Sequence, residues 1–159
     1  MKILLIGYGN PGRLDDGLGP ALAERFQGVE EGIGAGGTSA VHPPGLTVEL
    51  NYQLNVEDAA QIAEHDVVVF ADASVDADAP FSFEPVEPEE GGLSFSSHSV
   101  SAPQLMGLVK RLFDAEPPAY MLAIRGQAFD AFGEELSEPA QKNLAAAVLF
   151  LQNWLAMKG

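Results

Sequence analysis

The sequence predicts an α/β fold: a three-layer α/β/α domain with a mostly parallel central sheet. Three observations support this prediction. Short apolar runs alternate with helical patterns in the order β-α-β-α-β-β-α-β-α, which is typical of parallel sheets covered by helices. A glycine-rich turn, residues 7–17, joins the first strand to the first helix. The length of 159 residues and the hydrophobic fraction of 47% suit one domain, which we expect to span residues 1–159.

The first half of the chain predicts two strands and two helices. The apolar run 2–6 predicts a buried parallel strand, and residues 18–26 have the apolar spacing of a helix. Residues 27–45 are glycine-rich and predict a loop. The alternating run 46–50 predicts a second strand. Asn55, with Asp58 three residues later, predicts the N-cap of a helix that ends near Glu64.

The second half begins with the clearest strand, residues 66–71, and Asp72 follows its predicted end. Residues 81–86 alternate but contain a proline, which predicts an edge strand, and the acidic run 84–90 predicts a solvated turn. Ser101 predicts the N-cap of a helix that ends near residue 113. Residues 120–124 predict a further strand, and Ser137 predicts the start of the last helix. The residues expected to face the core from these two helices are Leu105, Leu108, Val109, Leu112, Leu144, Val148, Leu151 and Leu155.

Composition excludes several classes of protein. Eight basic residues against 23 acidic ones give a formal net charge of −15, so the chain lacks the cations that nucleic-acid binding needs. The acidity suits solubility, with attraction of a basic segment or a cation as the alternative. The absence of cysteine excludes disulfides, thiolate metal sites and a cysteine nucleophile. No apolar run reaches about 18 residues. With no signal-peptide pattern either, we expect no membrane span and a cytoplasmic location.

The glycine-rich turn matches the dinucleotide pattern G-x-G-x-x-G at residues 7–12, but its surroundings disfavour a nucleotide. Pro11 lacks a backbone N–H, and Asp15 and Asp16 would face the pyrophosphate at close range. The acid expected at the end of the second strand, about 20 residues beyond the glycines, has no good match, because residues near 30 lie in the predicted loop. The turn therefore predicts a site for something other than a phosphate.

Three polar residues follow strands and are candidates for one site: Asp16, Asp72 and His98. Parallel topology brings the first two to the same edge of the sheet, and the extended segment that carries His98 can reach it. Two carboxylates and an imidazole suit a divalent metal such as zinc, nickel, cobalt or iron, and they also suit acid/base catalysis without a metal. Asp15 is assigned a structural role beside the helix N-terminus.

Three further polar residues carry weaker signals. Glu24 and His65 have ordinary helix-surface spacing and are assigned no function, and His42 is a loop residue.

The ordered motifs of this chain resemble those of the [NiFe]-hydrogenase maturation endopeptidases. The first is the Gly-x-Gly-Asn turn at residues 7–10, followed by Asp-Asp-Gly-x-Gly at residues 15–19. The second is a central strand that ends in Asp72-Ala73, and the third is the Ser-Ser-His element that ends at His98. The segment 133–137 before a long helix is also similar to the close of that family. The resemblance spans most of the chain.

This resemblance implies a fold, a reaction and a set of site residues. The implied fold is the phosphorylase/hydrolase-like α/β/α architecture. The implied reaction removes a C-terminal extension from the hydrogenase large-subunit precursor after nickel insertion. Asp16, Asp72 and His98 would contact the metal and perform the catalysis, with nickel brought by the substrate and zinc or cadmium able to replace it in crystals.

Two other functions remain open from the sequence. One is a nickel-dependent chaperone that binds the large subunit without cleaving it. The other is an esterase like peptidyl-tRNA hydrolase, which shares the Gly-Asn-Pro-Gly turn but needs a basic surface that this chain lacks. The loop 27–45 and residues 50–58 match only one subgroup of the endopeptidases, which leaves the choice of hydrogenase open.

Overall fold

A computed structural model of the protein describes residues 1–27, 45–90, 100–129, 132–133 and 135–158. Within these ranges the chain forms five strands and four α-helices in the predicted order. They are β1 (Ile3–Tyr8), α1 (Leu18–Gln27), β2 (Leu46–Asn51), α2 (Asp58–Ala63), β3 (Val67–Ser74), β4 (Phe81–Pro85), α3 (Ala102–Phe113), β5 (Ala119–Arg125) and α4 (Glu138–Lys158). A short 3₁₀ helix, Leu14–Gly17, leads directly into α1.

The strands form one sheet in the order β2-β1-β3-β5-β4. β1 pairs in parallel with β2 and β3, and β3 pairs in parallel with β5. β4 is antiparallel to β5 and lies at the edge of the sheet, as its proline predicts. Four strands therefore end on the same side, which we call the carboxyl edge. Binding and catalytic groups gather at such an edge in open α/β sheets.

Each face of the sheet carries its own apolar cluster. Ile3 and Leu5 of β1 pack in a cluster with residues of α1 and α4. Leu4 and Ile6 of the same strand pack in a second cluster with residues of α2 and α3. This alternation follows from the pleat, which points successive side chains to opposite faces. The result is the predicted three-layer α/β/α arrangement.

The long helices match their predicted starts. Ser101 caps α3 by accepting the backbone N–H of Gln104, whose side chain bonds back to the Ser101 N–H in a capping box. In α4 the predicted inward residues Leu144, Val148, Leu151 and Leu155 are buried. None of the helices in the described ranges combines the length and apolar character needed to cross a membrane.

Two details of the predicted helices are wrong. Leu112 is 64% exposed, because the last turn of α3 extends beyond the core cluster, whose α3 members end at Val109. α2 begins at Asp58 with Glu57 as its N-cap, and no side chain caps it. Asn55 instead donates its backbone N–H to the Asp58 carboxylate at 2.9 Å, within a turn that precedes the helix.

Candidate functional site

The turn after β1 brings α1 unusually close to the sheet. A Cβ added to Gly19, in the first turn of α1, would overlap the carbonyl oxygens of Tyr8 and Ala71. Gly9 has a φ of +141°, a backbone conformation that favours glycine, and a Cβ there would overlap the Asp16 carbonyl oxygen. These two glycines allow the 3₁₀ helix to lie against β3.

Asp16 lies in this 3₁₀ helix and is partly buried at the carboxyl edge. The backbone N–H of Asn10 donates to its Oδ2 at 2.9 Å. The Asn10 side chain in turn accepts the N–H of Gly12 at 2.9 Å. The turn thus fixes the position of Asp16 through its own backbone, as expected for a group held in place before its ligand arrives.

Asp72 lies inside β3, which continues to Ser74 rather than ending at residue 71 as predicted. Its Oδ1 accepts the N–H of Ala73 at 2.8 Å. Burial raises the pKa of Asp72 to about 6, and the negative charge of Asp16 adds to this rise. The structure therefore brings Asp16 and Asp72 together at the carboxyl edge, while His98 lies outside the described residues.

Tyr8 is a third member of the site that the sequence reasoning missed. Gly7 of β1 pairs with Ala71 of β3, so Tyr8 stands level with Asp72 on the neighbouring strand. Burial raises the pKa of the Tyr8 hydroxyl, as do the charge of Asp72 and the hydrogen bond between the two side chains. The sequence could have indicated Tyr8, because alternation along β1 places it on the same face as Leu4 and Ile6.

Asp15, adjacent to Asp16, is fully buried and lies in a network of hydrogen bonds. Its Oδ2 accepts the backbone N–H groups of Gln127 and Ala128 at 2.7 and 2.9 Å. The Ser137 N–H and hydroxyl donate to its two oxygens at 2.7 and 2.6 Å. Burial alone would raise the pKa of Asp15, but these hydrogen bonds outweigh it and lower that pKa. The predicted structural role is thus observed, although its cause is this network.

The segment after β5 makes further hydrogen bonds and packing contacts with the glycine-rich turn. Leu14 has a φ of +52°, which strains a residue other than glycine, and its N–H donates to the Gly133 carbonyl at 2.8 Å. The Gly133 N–H donates to the Gly12 carbonyl at 2.8 Å. Gly126 packs so closely that an added Cβ would lie 2.9 Å from the Asp15 Cβ. The position of Asp16 therefore depends on a segment more than a hundred residues away in sequence.

A groove of about 530 Å³ adjoins the turn on the α1 side of the sheet. Gly9 lines it and lies against the backbone of Asp16. Ala71 of β3 packs in the cluster on the α1 side, so the alternation of the strand points Asp72 to the face that α2 and α3 cover. The residues that line the groove come from the turn, from α1 and from the chain after β2; they are Gly9, Pro11, Pro20, Glu24, Leu50, Asn51, Tyr52, Gln53 and Asn55.

The two paired carboxylates suit a divalent cation in part. Among the residues that the structure describes, no three His, Cys, Asp or Glu side chains are grouped to hold a metal. Asp16 and Asp72 nevertheless offer oxygen ligands, and a cation between them would relieve the repulsion that contributes to the raised pKa of Asp72. Two carboxylates alone do not complete a metal site of the kind found in proteins.

Structural comparison places this fold beside that of hydrogenase maturation proteases. The protease HycI from Thermococcus kodakarensis KOD1 superposes with a TM-score of 0.68 at 22% identity, covering 98% of this chain and 92% of that one. The hydrogenase maturating endopeptidase HybD from E. coli gives a TM-score of 0.69 at 18% identity, covering 100% and 94%.

A protein from Wolinella succinogenes described as uncharacterized gives a TM-score of 0.58 at 22% identity, covering 99% of both chains. No protein-family model matches the sequence, and no curated protein matches it. These identities show a shared fold over nearly the whole chain.

Proposed function

We propose that this protein is an endopeptidase that removes the C-terminal extension of a nickel-loaded [NiFe]-hydrogenase large-subunit precursor. The observation that carries the proposal is the pairing of Asp16 and Asp72 at the carboxyl edge, where burial and, to a smaller extent, the charge of Asp16 raise the pKa of Asp72. The fold shared with hydrogenase maturation proteases supports the same reaction.

Peptide hydrolysis needs a base for water and a proton for the leaving amine. Before the metal-loaded substrate binds, burial raises the pKa of Asp72 to about 6, so at neutral pH it is a carboxylate that can take a proton from water and return it to the amine. Water oxygen then bonds to the carbonyl carbon as the C–N bond breaks. The Tyr8 hydroxyl lies beside Asp72 and can donate a hydrogen bond to that carboxylate.

Nickel in this proposal is part of the substrate. Asp16 and Asp72 contact it from the carboxyl edge, and we assign the remaining contact to His98 on the family resemblance. Bound nickel supplies positive charge that polarises the scissile carbonyl. We place the reaction in the cytoplasm, with the large-subunit precursor as the partner.

A single-turnover incubation tests the proposal. Purified nickel-loaded and nickel-free large-subunit precursors are mixed with excess protein, and the intact mass of each precursor is followed over time. We expect the mass of the nickel-loaded precursor to fall by that of its C-terminal extension, while the nickel-free precursor keeps its mass. A stable complex in which the precursor keeps its full mass would contradict the endopeptidase and favour a chaperone.

A further inference from the structure

The groove beside the turn has a distinct chemical character. Among the described residues that line it, Glu24 is the one that carries a charge. Three residues with side-chain amides, Asn51, Gln53 and Asn55, also line it, and we call them the amide wall. The Gln53 and Asn55 amides also contact each other at 3.4 Å. The groove therefore offers one negative charge together with several hydrogen-bonding groups.

Tyr52 adds an aromatic surface to this wall. Its side chain is 73% exposed, so the ring is accessible to a segment bound in the groove. A groove lined by both a tyrosine and a carboxylate suits a lysine or arginine side chain, since the stem can pack on the ring and the cation can meet the carboxylate and the π-face. A net charge of −15 further disfavours an acidic segment at this position.

The groove also lies next to the turn that carries Asp16. Gly9 lines it and lies against the backbone of Asp16, so the groove adjoins the turn that carries this carboxylate. The groove's volume of about 530 Å³ lies within the usual range of ligand sites, roughly 300–1,000 Å³. An extended polypeptide can thus occupy the groove and the carboxyl edge at once.

We infer that this groove binds an extended segment of the substrate polypeptide through a cationic side chain held between Glu24 and Tyr52, with the amide wall bonding the segment's backbone. The inference rests on the proposed function for the identity of the polypeptide as a substrate. It gives Glu24, a residue with no function expected from sequence, a role in selecting what is bound.

The test measures binding and needs no cleavage. The probes are the blocked peptide Ac-Gly-Ala-Arg-Ala-Gly-NH₂ and its counterpart with citrulline, which keeps the shape of arginine without its charge. Each is titrated into ¹⁵N-labelled protein, and the backbone amide shifts are followed by NMR. We expect the arginine peptide to move the amides of Gly9, Asn51 and Tyr52 and to bind roughly threefold to tenfold more tightly than the citrulline peptide.

Matched variants separate this site from general attraction to an acidic protein. Glu24→Gln should make the two peptides bind equally, whereas Glu64→Gln removes an exposed charge at the opposite end of the sheet and should leave the preference intact. Tyr52→Ala should weaken the arginine peptide, and Phe113→Ala, another exposed ring, should not. Equal binding of both peptides to the parent protein, or an undiminished preference in Glu24→Gln, would overturn the inference.

Failure of this inference is distinguishable from failure of the proposed function. If the arginine peptide binds as expected but the nickel-loaded precursor keeps its mass, the groove is a polypeptide site on a protein that does not cleave. If the precursor is trimmed but Glu24→Gln changes neither peptide affinity, the endopeptidase stands and the groove assignment is wrong.

Discussion

Asp15 and Asp16 are neighbours in the chain, yet their carboxylates meet very different surroundings. Asp15 accepts hydrogen bonds from three backbone N–H groups and one hydroxyl, which uses the acceptor positions of a carboxylate almost fully. Asp16 accepts the N–H of Asn10 and faces Asp72. Asp15 therefore stabilises the fold, whereas Asp16 lies partly exposed at the carboxyl edge of the sheet.

Asp72 should reduce the stability of the fold at neutral pH. Its folded pKa of about 6 exceeds the ordinary 3.8, so its favourable contribution is complete below pH 3.8 and disappears as the pH rises through about 6. We therefore expect Asp72→Asn to raise the free energy of unfolding at pH 8 by about 1–3 kcal/mol, with the gain absent near pH 4. Urea denaturation at both pH values measures the difference.

Asp66→Asn is the control for this comparison, because Asp66 is exposed and accepts a single backbone N–H from Lys2. If Asp72→Asn raised the free energy of unfolding equally at both pH values, the pKa of Asp72 would not be raised in the folded protein, which would contradict the prediction.

At the scale of elements, Asp15 joins three parts of the fold. It lies in the 3₁₀ helix before α1, and its hydrogen bonds reach the segment after β5 and the residue before α4. The Ser137 hydroxyl also lies 3.3 Å from the Ala140 N–H at the start of α4. The turn that carries Asp16 is therefore held by two distant elements, which fixes its position before any ligand binds.

Asp15→Asn should break this arrangement. An amide has nearly the same shape, but its NH₂ group would face N–H and O–H donors and leave buried donors without an acceptor. We expect the free energy of unfolding at pH 7 to fall by about 2–4 kcal/mol. Thermal and urea denaturation measure the loss.

The exposed Asp66→Asn again serves as the comparison, with an expected change of no more than about 0.5 kcal/mol. Equal, small effects for the two variants would mean that the hydrogen bonds to Asp15 contribute little to holding the turn.

For the whole molecule, much of the architecture could be predicted from sequence. Strand and helix periodicities are local, so the order of the elements followed from them. The approach of Asp16 to Asp72 followed from parallel topology, which places strand ends together. Tyr8 was missed because the candidates were polar residues that follow predicted strands, whereas Tyr8 is the last residue of β1. The alternation of β1 nevertheless places it on the same face as Asp72.

The remaining features depend on contacts between distant segments. The bonds from Asp15 to residues 127, 128 and 137 have no local signature, since those N–H groups are backbone atoms of ordinary residues. The groove lies between α1 and the chain after β2. The sequence of α1 alone therefore does not distinguish Glu24 from other acidic residues on a helix surface. The part of the site that contains His98 stays a prediction.

The rate of precursor trimming by Asp16→Asn tests the central claim most directly. The nickel-loaded large-subunit precursor is incubated with the parent protein, with Asp16→Asn and with Asp66→Asn, and its intact mass is followed. The account predicts that Asp66→Asn trims at the parental rate, while Asp16→Asn is slower by about 10²–10⁴-fold and unfolds at the same urea concentration as the parent. Trimming by folded Asp16→Asn at the parental rate would contradict it.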